Sequence, residues 1–286
     1  MIKTPLSTVI GGAFWAPGAT VISGAKLSFE TVMKKLFSNN EQGFFCDPND
    51  LSTMFQDASG TVPVTDVGQP VGLIRDKSGR NNHAYQTTSA SRPILRQNAI
   101  TGAYYLEFDG SDDFLVTNSI DFTTTNKLSL FAGLNRTGNA TIGTVLETGT
   151  NYTNPTGGFG IQAPHGVGAN TVNLLASSGG ATVYTIGPYT PNVFTYAGFI
   201  DLSETTALKQ IRLRVNGVYD KASRVNLAGN GNFANVPVYV GRRGGVSQPF
   251  NGHIYSLIGV GRLSTDDEIA SIEKELAKRT GVTLSV

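Results

Sequence analysis

Two carboxylates spaced two residues apart on one strand are the first chemistry that this sequence suggests. Glu107 and Asp109 lie in the segment YYLEFD, residues 104–109, and are the one close acidic pair with a strand period. A retaining glycosidase uses two carboxyl groups roughly 5 Å apart, one as acid and base and one as nucleophile. The sequence has neither a longer acidic run such as Glu-x-Asp-x-x-Glu nor the nucleophile motif Gly-x-Ser-x-Gly. We therefore interpret the pair as solvated strand carboxylates and predict that the protein is not an enzyme.

The histidines and the single cysteine indicate no further catalytic or metal centre. His83, His165 and His253 lie on separate segments with no nucleophile motif beside them, so we interpret them as turn or surface residues. Cys46 is the one cysteine, which excludes an internal disulfide framework and a cysteine-rich metal site. We expect it to be a small buried hydrophobic residue.

Three aspartates at one turn form the only candidate cation site. Asp109, Asp112 and Asp113 surround the tight turn that follows strand 104–109. Hard cations such as Ca²⁺ bind several oxygens, and a turn can supply them from carboxylates and backbone carbonyls. The alternative is that Asp109 fixes the turn while Asp112 and Asp113 are solvated. We favour this alternative and predict no metal and no cofactor.

Tyrosines and asparagines provide candidate sugar-binding side chains. Sugar sites on β-sandwiches are shallow, with an aromatic platform and amide or carboxylate groups that hydrogen-bond the hydroxyls. The candidates are Asn151, Tyr152, Asn154, Tyr184 and Tyr189. The alternative is that these tyrosines simply cover a sheet or a loop. The basic loop 241–245, GRRGG, is either solvated or in contact with an acidic neighbour.

The elements that must position these residues are strands. In residues 104–109, Tyr104, Leu106 and Phe108 alternate with polar residues, which is typical of a half-buried strand. From residue 104 onward, candidate strands recur every 8–12 residues, as in sandwiches and jelly rolls. The dipeptide Asn216-Gly217 predicts a type I′ hairpin. The fold class that follows is all-β, an antiparallel β-sandwich.

Two helices are predicted outside the strands. In residues 28–37, Phe29, Val32, Met33, Leu36 and Phe37 recur with helical spacing, and Ser28 is a suitable N-cap. Near the C-terminus, Thr265 and the acidic residues after it indicate a capped helix that ends near Gly281. We expect this second helix to pack on the sandwich.

Residues 1–27 are rich in glycine and alanine and show no regular period. Their apolar residues are Phe14, Trp15, Val21 and Ile22, which such a segment cannot bury alone. We interpret this arm, together with the helix at 28–37, as an assembly element that docks on neighbouring subunits. A helix of about ten residues is marginal alone and needs a packing partner.

Composition limits the remaining functions. The formal net charge is +1 among 286 residues, so no strong field favours nucleic acid or an anionic membrane surface. Residues 5–25 carry no charge, but glycine and proline interrupt them. We therefore predict neither a secretory signal nor a membrane-spanning helix.

Several motifs resemble a known family of domains. The run YLEFDGSDDFL at 105–115 resembles the strand-turn-strand of laminin-G-like, concanavalin A-like jelly rolls. The segment DKSGRNNHA at 76–84, followed by Arg92-Pro93, resembles the stretch that precedes it in those domains. This resemblance implies a fold and not a function.

Other motifs resemble virion proteins of tailed bacteriophages that carry such a domain. They are the EQG run at 41–43, the run DPNDLSTMFQD at 47–57, the segment VGQPVG at 67–72, and the closing GRLS strand and helix. An aromatic pair usually precedes Asp-Pro in those proteins, whereas Phe45-Cys46 stands here.

The resemblance implies a virion component, assembled in the host cytoplasm and associated with a tail, collar or fibre. Adhesion to host-surface glycans is a common role of such proteins. The rival interpretations are a capsid decoration or head-fibre protein without a ligand, and a polysaccharide-degrading enzyme. We expect a multi-copy or homo-oligomeric protein that contacts other virion proteins through its arm. The expected organisation is a docking segment at 1–43, a sandwich at 44–263 and a C-terminal helix at 264–286.

Overall fold

A computed structural model describes most of the chain. The described residues are 28–138, 140–154, 156–166, 170–185, 191–219, 224–226 and 228–285. The predictions for Phe14, Trp15, Val21, Ile22 and Tyr189 concern residues outside these ranges.

Strands dominate the described residues, with three α-helices and two 3₁₀ turns at Leu51–Thr53 and Ser89–Ser91. The helices are α1 (Phe29–Leu36), α2 (Ala207–Gln210) and α3 (Asp266–Thr280). The strands are β1 (Gly43–Cys46), β2 (Met54–Phe55), β3 (Leu73–Ile74), β4 (Ala84–Tyr85), β5 (Ile94–Gln97), β6 (Tyr104–Asp109), β7 (Leu115–Thr117), β8 (Ile120–Asp121), β9 (Lys127–Arg136), β10 (Thr144–Thr148), β11 (Phe159–Gln162), β12 (Asn173–Ser178), β13 (Ala181–Thr185), β14 (Val193–Asp201), β15 (Ile211–Val215), β16 (Val218–Tyr219), β17 (Arg224–Val225), β18 (Asn235–Val236), β19 (Val238–Val240) and β20 (Asn251–Val260).

Two large antiparallel sheets form the sandwich. Sheet A has the strand order β16-β15-β14-β9-β20-β6-β5, and β1 pairs with the last part of β20. Sheet B has the order β17-β13-β12-β11-β10-β19-β7-β4-β3-β2. Strands β8 and β18 form a separate pair. The prediction of an all-β antiparallel sandwich with an N-terminal and a C-terminal helix is confirmed.

Strand β6 shows how the alternation in the sequence becomes two faces. Leu106 and Phe108 are buried between the sheets, and Phe108 is 1% exposed. Tyr105 and Glu107 point to the outward face of sheet A, because successive side chains of a strand alternate. The predicted faces of this strand are therefore confirmed.

The predicted hairpin and the C-terminal cap are confirmed as well. Asn216 and Gly217 have φ values of 52° and 83°, as a type I′ turn requires, and they join β15 to β16. The Thr265 hydroxyl accepts the Glu268 N–H, and the Glu268 carboxylate accepts the Thr265 N–H. Gly281 ends α3 in the left-handed region with φ 79°.

Helices α1 and α3 cover part of the outward face of sheet A. Their apolar side chains and those of the strands beneath them form a second buried cluster, separate from the core between the sheets. Its members include Val32, Met33, Leu36 and Phe37 of the α1 segment, Ile269, Ile272 and Leu276 of α3, and Phe131, Phe199 and Ile258 of the sheet. None of the helices among the described residues is long and apolar enough to cross a membrane.

The packing of α1 corrects one expectation. The stripe Val32, Met33, Leu36 and Phe37 was expected to dock on other subunits, but these side chains are at most 7% exposed and pack within this chain. Phe29 is partly buried against the same cluster, with its ring under the Arg279 guanidinium. The helix therefore belongs with the sandwich, because the outward face of sheet A is apolar where α1 lies. A docking role for residues 1–27 stays a prediction.

We predict that Leu36→Ala lowers the free energy of unfolding by about 2–5 kcal/mol, because Leu36 is fully buried and the change leaves a cavity. Chemical denaturation of the full chain measures this value. Lys34→Ala, on the solvent side of the same helix, is the matched control and should change it by less than about 0.5 kcal/mol. Equal effects of the two substitutions would show that α1 does not pack on the sandwich.

Candidate functional site

The outward face of sheet B brings several polar and aromatic side chains together. Leu146, Ile161, Leu174 and Val183 point into the core between the sheets. Their neighbours along the strands point outward, and the register aligns Glu147, Gly160, Leu175 and Tyr184 in one row. Gln162 lies on the same face as this row. We call this surface the sheet-B site; its side chains are Glu147, Tyr152, Gln162, His165, Tyr184, Arg243 and Gln248.

A buried ion pair lies at the centre of the sheet-B site. Glu147 is 1% exposed, and Arg243 donates to it through Nε and Nη2 at 2.7 and 2.9 Å. The Tyr152 N–H donates to the same carboxylate at 3.1 Å. Both oxygens of Glu147 are thus engaged, and the pair joins strand β10 to the basic loop 241–245 and to the loop that carries Tyr152. Of the two interpretations of this basic loop, contact with an acidic neighbour is the one observed, and that neighbour is Glu147 of the same chain.

The loop 149–154 holds Tyr152 over the sheet. The Asn151 side chain accepts the Thr153 N–H, and the Asn154 N–H donates to the Asn151 carbonyl, which together form a tight turn. The Ser177 hydroxyl donates to the Tyr152 carbonyl at 2.5 Å. The Arg243 guanidinium lies 5.9 Å from the Tyr152 ring centre. The backbone of Tyr152 is therefore held at both its N–H and its carbonyl group, and its ring lies beside Arg243.

A second group of side chains surrounds Tyr184. The His165 ring lies 6.2 Å from the Tyr184 ring, and its Nδ1 is 2.8 Å from the Gln162 amide oxygen. Since that oxygen can only accept, Nδ1 carries the proton and Nε2 is an acceptor. The Gln162 amide nitrogen in turn donates to Gln248. Burial lowers the pKa of His165, so the ring is neutral at pH 7.

The structure places the predicted sugar-binding residues in two roles. Tyr152 and Tyr184 both belong to the sheet-B site, and burial raises the pKa of Tyr152, so its hydroxyl keeps its proton. Asn151 and Asn154 shape the turn beside it. No motif in the sequence pointed to Gln162, to Gln248 or to Glu147 as the partner of Arg243. A lone acid in the apolar strand TVLET was the one signal for Glu147.

Glu107 and Asp109 are engaged in contacts of their own. Glu107 accepts from Arg96 at 2.6 Å, and Asp109 accepts the Ser111 N–H at 2.8 Å. Neither lies on the face that carries the sheet-B site. Within that site Glu147 is the one carboxylate of the described residues, and its oxygens already accept from Arg243 and Tyr152. Each of these three carboxylates is thus engaged by a donor of the same chain.

The three candidate calcium ligands bind the chain's own donors. Asp112 accepts the Ser91 hydroxyl at 2.5 Å, and Asp113 accepts the Asp109 N–H at 3.0 Å. Burial and the neighbouring carboxylates raise the pKa of Asp113 to about 6. Within the described residues, no group of three or more His, Cys, Asp or Glu side chains is arranged to hold a metal ion. These aspartates organise the turn after β6, and the absence of a metal stays a prediction.

Comparisons with known proteins show the fold of the chain. No family model matches the sequence, and a search of curated proteins gives no match. The receptor binding domain of botulinum neurotoxin mosaic serotype C/D matches 80% of this chain and 52% of its own, with 11% identity and a TM-score of 0.51. The serotype D binding domain matches 83% and 52%, with 9% identity and a TM-score of 0.51. A CBM40 domain of a Ruminococcus gnavus sialidase, bound to sialyllactose, matches 52% and 83%, with 20% identity and a TM-score of 0.39.

The matched region thus covers about half the length of the neurotoxin domains. What the chain shares with them is the fold, an antiparallel β-sandwich. Tyrosines lie on the outward face of one of its sheets.

Removal of Arg243 tests the buried pair. We predict that Arg243→Ala lowers the free energy of unfolding by roughly 3–5 kcal/mol, because it leaves the Glu147 carboxylate buried without its charge partner. Chemical denaturation checks the value. The double variant Glu147→Gln with Arg243→Ala is the control and should be more stable than the single variant, since it buries no unpaired charge. A single variant that loses less than about 1 kcal/mol would show that water solvates Glu147.

The raised pKa of Asp113 predicts a pH dependence. The folded state holds this proton more tightly than the unfolded chain, so ionisation of Asp113 lowers stability as pH rises from about 4 through 6. Asp113→Asn keeps an acceptor for the Asp109 N–H and removes the ionisation. Its stability relative to the wild type should therefore increase between pH 4 and pH 7, by an amount on the order of 2 kcal/mol. Denaturation curves across that range measure this stability difference. A difference that does not change with pH would contradict the raised pKa of Asp113.

Proposed function

We propose that this protein is a non-catalytic glycan-binding module and that the sheet-B site binds the sugar. The observation that carries the proposal is the position of Tyr152 and Tyr184 on one outward face, beside the neutral His165. The C–H groups of a pyranose pack on aromatic rings, and its hydroxyls need a few well-placed polar groups. His165 Nε2 offers an acceptor, the two tyrosine hydroxyls offer donors and acceptors, and Arg243 stabilises the loop.

The charges of the site support binding rather than catalysis. Glu147 and Arg243 neutralise one another and lie mostly beneath the surface, with side-chain exposures of 1% and 18%. A general acid must instead reach the glycosidic oxygen with a free carboxyl group. Ordered side chains that need not rearrange also lower the entropic cost of holding a ligand. The proposed binding requires no metal or cofactor.

We further propose that the module is part of a tailed-phage virion, associated with a tail, collar or fibre and assembled in the host cytoplasm. The support is the resemblance of the runs at 41–43, 47–57 and 67–72 to such virion proteins. In this proposal residues 1–27 attach the module, present in several copies, to other virion proteins. Mass spectrometry of purified particles tests the location. Particles that lack this chain would contradict the virion role and leave the sugar site to be tested by itself.

We predict that Tyr152→Ala and Tyr184→Ala each weaken glycan binding about tenfold or more, because each removes a ring that would pack on the sugar, a loss of about 1.4 kcal/mol. The measurement is binding of the full chain to an array of bacterial capsular and lipopolysaccharide glycans, followed by titration of the best glycan.

Tyr219→Ala is the matched control for this experiment, because Tyr219 is 40% exposed on the edge strand of the other sheet. It should bind like the wild type. Binding that survives both tyrosine substitutions would contradict the site, and no binding to any glycan would favour the decoration protein without a ligand. Sustained release of sugar from these glycans would revive the enzyme.

A further inference from the structure

The outward face of sheet A has a half that the helices do not cover. Helices α1 and α3 pack over the region of Phe131, Phe199 and Ile258. Where β5, β6 and the first part of β20 pair, the described residues place no helix on the sheet. The outward side chains there are Arg96, Tyr105, Glu107, Asn135 and His253, which we call the sheet-A patch.

Aromatic rings form the centre of the sheet-A patch. Tyr105 and His253 stack with ring centres 4.1 Å apart and planes 18° from parallel. The Tyr255 ring lies 5.0 Å from Tyr105 on a tilted plane. Tyr255 is 2% exposed, and its hydroxyl accepts from the Asn98 amide. The buried Tyr255 thus packs beside Tyr105, while Tyr105 and His253 stay partly exposed.

Polar groups surround these rings in positions that suit hydroxyl groups. The Asn135 amide nitrogen is 3.1 Å from His253 Nδ1, so Nδ1 accepts and the Nε2–H is a donor. Arg96 and Glu107 form an exposed ion pair at 2.6 Å, with side-chain exposures of 46% and 36%. This pair supplies donors and acceptors with no net charge. Burial lowers the pKa of His253, so the ring adds no charge at pH 7.

Such a group of side chains differs from an ordinary solvated strand face. A partly exposed ring stack without a covering element leaves apolar surface in water, and rings flanked by amides and a neutral ion pair match the chemistry of a pyranose. An anionic ligand would instead be repelled by Glu107, and a cationic ligand by Arg96.

We infer that the sheet-A patch is a second carbohydrate-binding site, specific for an uncharged pyranose, on the sheet opposite the sheet-B site. The inference goes beyond the proposed function and does not depend on it, because the two sites share no residue. Sites on the two outward faces would let one molecule bind two separate glycan chains.

The three histidines of the chain allow a direct test. His253 reports on the sheet-A patch, His165 on the sheet-B site, and His83 accepts the Asp76 N–H within the fold and is the internal control. The full chain with ¹³C,¹⁵N-labelled histidine is titrated with lactose, maltose and N,N′-diacetylchitobiose at millimolar concentrations, and the imidazole signals are followed by NMR. We expect the His253 signals to shift with saturation while the His83 signals do not.

Two substitutions in the sheet-A patch and one control outside it test the site. Tyr105→Ala should abolish the His253 shift, and Arg96→Ala, which removes only a half-exposed side chain, should weaken it severalfold; Tyr219→Ala should leave it unchanged. If none of the three sugars moves His253, or if Tyr105→Ala and Arg96→Ala both leave the shift unchanged, the inference is wrong. A shift of His165 alone would support the proposed function and overturn this inference. A shift of His253 alone would support this inference, and the sheet-B site is tested separately with the glycans of the array.

Discussion

The constraint on which this structure depends is that a sandwich has four sheet faces, and only two of them bury one another. The inner faces meet in the core that contains Leu106 and Phe108. One half of the outward face of sheet A is also apolar, since Phe131, Phe199 and Ile258 point away from that core. An apolar sheet face must be covered, and α1 and α3 cover it. Arg214 pairs with Glu273 and Arg279 with Asp47, which ties α3 to the strands below it.

The candidate binding sites lie on the outward sheet surfaces that the helices leave uncovered. On the outward face of sheet B the buried pair of Glu147 and Arg243 fixes the loops, and Tyr152 and Tyr184 stand beside it. In the proposed function this ordered surface recognises a polysaccharide and does not react with it. The carboxylates of the described residues agree with this, because those near the rings accept hydrogen bonds from the chain itself.

The sequence predicts those features that depend on near neighbours. The alternation in residues 104–109, the Asn216-Gly217 turn and the capping box of α3 are local patterns, and each is confirmed. The stripe of α1 was predicted as a helix, but its partner was not, because an amphipathic pattern shows that a face is buried and not what buries it. The sheet-B site could likewise be predicted by residue type but not by contact partner. Tyr152 and Tyr184 were candidates by residue type, whereas Glu147 and Arg243 are 96 residues apart and meet only through the register of the strands.

The central claim is that the protein binds glycans at the sheet-B site through a preformed surface. Hydrogen–deuterium exchange of the full chain, with and without the polysaccharide that binds best on the glycan array, tests it most directly. We expect slower exchange in the segments 147–154, 160–165 and 241–248 on binding, and unchanged exchange in α1 and α3. Protection spread over the helices, or none in the three segments while the polysaccharide is bound, would contradict the account.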